Sequence, residues 1–149
     1  MDDVRKILVP VDFSANSCKI MALAASLAQR FKAELAVVFV VQSFDDYSGF
    51  FVPREPIAQF EEEMIRNAEE KMQSFIQECL APDAQVQTRV LTGDVADSIV
   101  EHATRTGVDL IVIGTHGYRG LERVLFGSVA EKVIKRADCP VISINPYRS

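Results

Sequence analysis

At 149 residues the chain is long enough to bury a full hydrophobic core and is expected to form one domain. Its 48% hydrophobic and 25% charged residues are ordinary globular proportions, and a net charge of −5 argues against the broad basic face of a nucleic-acid binder. No apolar run reaches the ~18 residues that span a bilayer, and the acid-first start Met1-Asp2-Asp3 does not read as a signal peptide. Cys18, Cys79 and Cys139 are scattered and lack CxxC spacing, which reads as reduced thiols in a cytoplasmic protein.

The run from Arg5 to Val11 (RKILVPV) predicts a short buried strand ending at Asp12. Ser14 is placed to cap a helix from Ala15 to Phe31, whose apolar face is Ile20, Leu23, Ala24, Leu27, Ala28 and Phe31. Glu34 to Val41 reads as a strand buried on both faces. From Gln42 to Pro56 the chain is irregular, with two prolines and several aromatics; a loop of this length serves as a lid or partner contact, or only packs its aromatics on the surface. Ile57 to Leu80 carries the longest helical stripe, and its Glu61-Glu62-Glu63 run reads as a solvated face. Gln85 to Leu91 alternates apolar with polar residues, as an edge strand does. Asp94 caps a helix through Thr106, and Gly107 suits the left-handed position after it. A buried strand from Asp109 to Ile113 runs into Gly114. The last helix is expected from about Ser128 to Ala137, and Pro140 opens a strand from Val141 to Asn145.

Strands alternating with helices predict an α/β fold of three layers, α/β/α, around an open parallel sheet. With the alternating third strand at an edge, the economical order of the five strands is 3-2-1-4-5, Rossmann-like. The winding then reverses between the first and fourth strands, and a ligand is expected in the crevice beyond their carboxyl ends. Asp12 ends the first strand there. After the fourth comes a glycine pattern: Gly114, two residues, Gly117, nine residues, Gly127, then Ser128. Glycine permits close backbone approach to a ligand, and a helix opening at Gly127-Ser128 would turn free N–H groups toward an anion. A Walker P-loop is excluded, because no lysine precedes Ser128.

The segments ILVPVDFS, GTHG, FGSVAEKVI and CPVI resemble the universal stress protein family over nearly the whole chain, from Lys6 to Ile144. Gly114, Gly117, Gly127 and Ser128 match the Gly-x2-Gly-x9-Gly-Ser/Thr motif of the family branch that binds ATP. That resemblance implies that Asp12 hydrogen-bonds a ribose and that the Val40 backbone contacts adenine. Gly114 and Gly117 would approach ribose and phosphates, and Gly127, Ser128 and Val129 would hold phosphate oxygens. It also implies a homodimer, through the last strand from Val141 to Asn145.

The residue types agree with these roles but leave alternatives. A carboxylate at Asp12 accepts ribose hydroxyls or caps the helix that follows. Arg119 and Arg123 suit phosphates, or else form a solvated loop face. His116 reads as a loop residue, and His102 has no evident role. The expected ligand is ATP or another adenine nucleotide, with Mg²⁺ carried by the triphosphate rather than caged by protein. A stress-response binding module is preferred over a slow ATPase, because the glycine loop offers no lysine and Glu122 as its only acid. A dimeric interaction protein with nucleotide as a structural ligand, and an unidentified protein partner, is the remaining reading.

Overall fold

The computed structural model describes residues 3–42, 54–115 and 121–147. The elements run β1 (Lys6–Pro10), α1 (Ala15–Phe31), β2 (Glu34–Gln42), α2 (Arg54–Cys79), β3 (Val86–Gly93), α3 (Val95–Arg105), β4 (Leu110–Gly114), α4 (Leu121–Arg136) and β5 (Val141–Ile144). The five strands form one parallel sheet in the order β3-β2-β1-β4-β5, as the pattern of the chain predicts.

Strand side chains alternate between the two faces, and this divides the interior. Ile7, Val9, Val37 and Val112 join Met21, Met72 and Phe75 under α1 and α2. Leu8, Val38, Ile111 and Ile113 join Ile99 and Val133 under α3 and α4. Each fully buried aliphatic side chain contributes about 1.5–3 kcal/mol by leaving water. The edge strand β3 alternates half-buried and exposed residues over much of its length, which is the signal that placed it at the border.

Helix starts follow the local chemistry. Ser14 sits in extended backbone and its side chain accepts from Ser17 N; Asp94 does the same for Asp97 N. α1 ends where Lys32 turns left-handed at φ 56°, and Gly107 takes φ 70° after α3. Asp109 ties the base of the sheet together, its Oδ2 accepting from Arg5 N at 2.9 Å and Lys6 N at 3.0 Å.

Two expectations are corrected. α4 begins at Leu121, not near Ser128, so Gly127 lies inside the helix. A glycine costs a helix only about 1 kcal/mol, which the preceding good formers Leu121, Glu122, Arg123 and Leu125 offset. The cysteines are not all thiols: Cys18 of α1 and Cys79 of α2 form a disulfide with Cα atoms 5.3 Å apart, while Cys139 is free. The partners are 61 residues apart in sequence, so no local spacing announces them. Of the stretch from Gln42 to Pro56 expected to be irregular, residues 43–53 fall outside the described residues, while Gln42 closes β2 and residues 54–56 already belong to α2. Among the described residues no helix is long and apolar enough to cross a membrane.

Candidate functional site

β1 stops at Pro10, and the chain turns at once into α1. Phe13 takes φ 66° to make that turn, a conformation that costs a bulky residue about 1–3 kcal/mol. Its ring is held in compensation, stacked on Phe39 with centroids 4.4 Å apart and edge-on to Phe75 at 5.5 Å. The turn presents Asp12 at the carboxyl end of the sheet. Asp12 Oδ1 accepts from Ser14 N at 3.0 Å, Ser14 Oγ at 2.5 Å and Ser17 Oγ at 2.6 Å. Asp12 N donates to Ser17 Oγ at 2.9 Å. The capping reading of this carboxylate is met: Oδ1 organises the start of α1, while no described donor reaches Oδ2.

A cleft of about 320 Å³ opens beside Asp12, at the lower end of the range for small-molecule sites. β1 contributes Pro10 to its wall, β2 contributes Val38 and Val40, α3 contributes Ala96 and Ile99, and α4 contributes Ser128, Val129 and Lys132. Asp12, Val40, Ser128 and Val129, singled out separately along the chain, thus line one space. The backbone of Val40 is suitably aimed. Glu34 N bonds Arg5 O and Val38 O accepts from Val11 N, so even-numbered residues of β2 turn their backbone groups toward β1. Val40 is two residues beyond Val38, where β1 has already ended, and its N–H and C=O face the cleft.

The α4 side of the cleft differs from expectation. Since Gly127, Ser128 and Val129 lie inside a helix, their N–H groups serve its intrahelical bonds and are not the free donors of a first turn. The donors available here are side chains. Ser128 Oγ is one, and Lys132, one turn further along α4, places an ammonium group on the same wall of the cleft. No described carboxylate pairs with Lys132. The helix expected from about Ser128 already runs through both residues, but Lys132 was not singled out. A Cβ on Gly127 would meet Thr115 O at 3.5 Å, an ordinary contact, so the backbone there does not demand glycine.

Gly114 is buried at the end of β4, paired with Ile144, and does not line the cleft. Gly117, His116 and Arg119 lie outside the described residues, as does the Arg123 side chain. Asp94 and Gln42 also border the cleft and were not anticipated. The Asp94 carboxylate is engaged as the α3 cap, its Oδ2 accepting from Asp97 N at 3.0 Å. Among the described residues no three His, Cys, Asp or Glu side chains gather to cage a metal ion. A divalent cation entering with phosphates would meet acceptors from Asp12 and Ser128 and no dedicated cage.

The sequence model of the universal stress protein family matches residues 3–145. The chain belongs to that family. It is 37% identical over 145 residues to the universal stress protein MJ0531 of Methanocaldococcus jannaschii, covering 94% of this chain and 81% of that one. The solved universal stress protein UspA from Lactobacillus plantarum superposes with a TM-score of 0.72 at 28% identity, over 97% of this chain and 100% of the other. The universal stress protein from Archaeoglobus fulgidus, solved in complex with dAMP, superposes with a TM-score of 0.58 at 25% identity, over 95% of this chain and 98% of that one.

Proposed function

We propose that this universal stress protein is a single nucleotide-binding domain that takes an adenine nucleotide, ATP foremost, at the carboxyl ends of β1 and β2. It would act as a cytoplasmic stress-signalling module rather than as an efficient hydrolase. The observation that carries this reading is the convergence of Asp12, Val40, Ser128 and Val129 on one cleft. The dAMP complex of the Archaeoglobus fulgidus relative supports the adenine class.

Asp12 Oδ2 receives ribose hydroxyls, the Val40 backbone receives the adenine edge, and Ser128 with Lys132 receives phosphate oxygens. Val129 adds apolar wall, and Gly127 leaves the α4 surface low. Gly114, Gly117, Arg119 and Arg123 complete the phosphate end in this proposal, and Mg²⁺ accompanies the triphosphate. β5 is a sheet edge with Ile142 38% exposed and Ile134 of α4 49% exposed, which suits a homodimer formed along β5.

The test is calorimetric titration of ATP and dAMP into wild type and Asp12→Asn. Asparagine keeps one acceptor for the serine donors and replaces the other oxygen with a donor. Affinity is expected to fall about tenfold or more, the ~1.4 kcal/mol of a lost hydrogen bond to a charged group, with the fold intact by circular dichroism. Wild-type affinity in the variant would overturn the ribose role. Turnover followed in the same samples separates binding from hydrolysis.

A further inference from the structure

Cys18 and Cys79 are both half-buried and line a surface depression of about 610 Å³ with Phe13, Ser14, Lys19 and Phe75. A small thiol or disulfide therefore has a path to them. Two separate contacts link this pair to the nucleotide cleft. Cys18 follows Ser17, whose Oγ accepts from Asp12 N at 2.9 Å and donates to Asp12 Oδ1 at 2.6 Å. Phe75, one turn before Cys79 on α2, meets the ring of Phe13, and Phe13 follows Asp12 with its left-handed backbone. The disulfide fastens the first turns of α1 to the last turn of α2, and the Asp12 turn lies between them.

We propose that Cys18 and Cys79 form a thiol–disulfide switch that sets how firmly Asp12 is held for its nucleotide. This regulation rests on the nucleotide reading above. The oxidant is a small-molecule disulfide of the glutathione class. The thiolate of one cysteine attacks a sulfur of that disulfide, breaks its S–S bond and expels one thiolate. The thiolate of the second cysteine then attacks the protein sulfur of the mixed disulfide, closes the Cys18–Cys79 bond and expels the other. The protein gives up two electrons and two protons, and the oxidant leaves as two thiols. A dithiol reverses both steps. In a reducing compartment such a pair is transient and suited to sensing.

Oxidised, the α1 start is covalently anchored and Asp12 is preorganised. Reduced, only the ring contacts and serine hydrogen bonds restrain the turn. The experiment uses the full chain equilibrated with oxidised glutathione or with dithiothreitol. Alkylation and mass spectrometry count the free thiols, with one expected after oxidation (Cys139) and three after reduction. ATP affinity is expected to be about three- to tenfold weaker in the reduced protein, the loss of a preorganised site. Cys18→Ser and Cys79→Ser should each hold the reduced value under both conditions, and Cys139→Ser should respond as wild type does. Equal affinities with a changed thiol count overturn the switch, as does a count of three after oxidation. If neither form binds nucleotide, the reading of the cleft fails separately, and amide hydrogen exchange over residues 12–18 decides the switch. Faster exchange on reduction upholds it, and unchanged exchange sinks it.

Discussion

Under α1 and α2 the interior contains Met21, Met72 and Phe75, with Phe13 and Phe39 packed against it and a disulfide joining the helices. Under α3 and α4 the described hydrophobic core is aliphatic, with Ala96, Ala103 and Ala130 on the helices and no phenylalanine or tyrosine ring. Polar, exposed ties hold α3 here: Asp97 pairs with Arg136 of α4, and Thr104 Oγ1 donates at 3.1 Å to Asp138 Oδ2 in the turn after α4. Exposed pairs of this kind contribute about 0–1 kcal/mol. The candidate cleft lies on this second side, between the start of α3 and the middle of α4. The Asp12 carboxylate that lines it, however, is held from the first side, by α1 serines and by the rings that clamp Phe13. One layer is packed around a turn, and the other, with alanines on its helices, borders the cleft.

Phe75→Ala tests the first half of that contrast and has the largest expected effect. The ring is 6% exposed and its removal leaves a cavity, so the loss should be about 3–5 kcal/mol in urea unfolding. It should also loosen Phe13 and weaken nucleotide binding at a site it does not touch. A loss below about 1 kcal/mol would erase the distinction between the faces.

On the other side, Gly93→Ala should cost about 1–3 kcal/mol. Gly93 has φ 135°, which L side chains rarely adopt, and a Cβ there would stand 2.8 Å from Ser98 Oγ. Because Gly93 precedes the Asp94 cap, the change reaches the cleft wall through α3. Unaltered thermal stability would show that the β3–α3 turn relaxes freely. Smaller still is Arg136→Ala, which removes an ion pair whose side chains are 54% and 57% exposed. It should change stability by less than about 1 kcal/mol, and less again in high salt.

The strand order was legible because β3 alternates apolar and polar residues while β2 does not, which leaves one arrangement with the exposed strand outside. The starts of α1 and α3 were legible because Ser14 and Asp94 act on donors three residues away. That Asp12, Val40 and Ser128 line one cleft was legible from the close of the first strand, the family resemblance and the glycine motif respectively. What failed was non-local or rested on a single residue type. Gly127 suggested a helix boundary, but the formers before it carry the helix through. Lys132 shares a face with Ser128 even in the shorter helix and was missed because only the glycine loop was searched for a cation. The Cys18–Cys79 pair depends on how α1 packs against α2, and the left-handed Phe13 on rings from β2 and α2, information that no window of sequence holds.

Buried polar groups carry the comparison of the two sides to its finest scale. Ser14 and Ser17, under α1, are buried and fully engaged with Asp12 and with each other. His102, on α3, is only 7% exposed, and its Nδ1 is buried without a hydrogen-bond partner. Burial, followed by the positive charges of Arg105, Arg89 and Lys6, holds its pKa below the ordinary 6.5. The folded protein therefore keeps His102 neutral at a pH where the unfolded chain takes up a proton. Its contribution to stability is full above about pH 6.5 and is lost as pH falls through the lower folded value. Urea midpoints measured from pH 7 down to pH 5 should decline in wild type and decline less steeply in His102→Leu. That variant removes the titration and the unsatisfied nitrogen together, so near pH 7 it should be close to neutral. Parallel slopes in the two proteins, or a folded-state imidazole titrating at or above its ordinary value by NMR, would show that this side satisfies its histidine as completely as the other satisfies its serines.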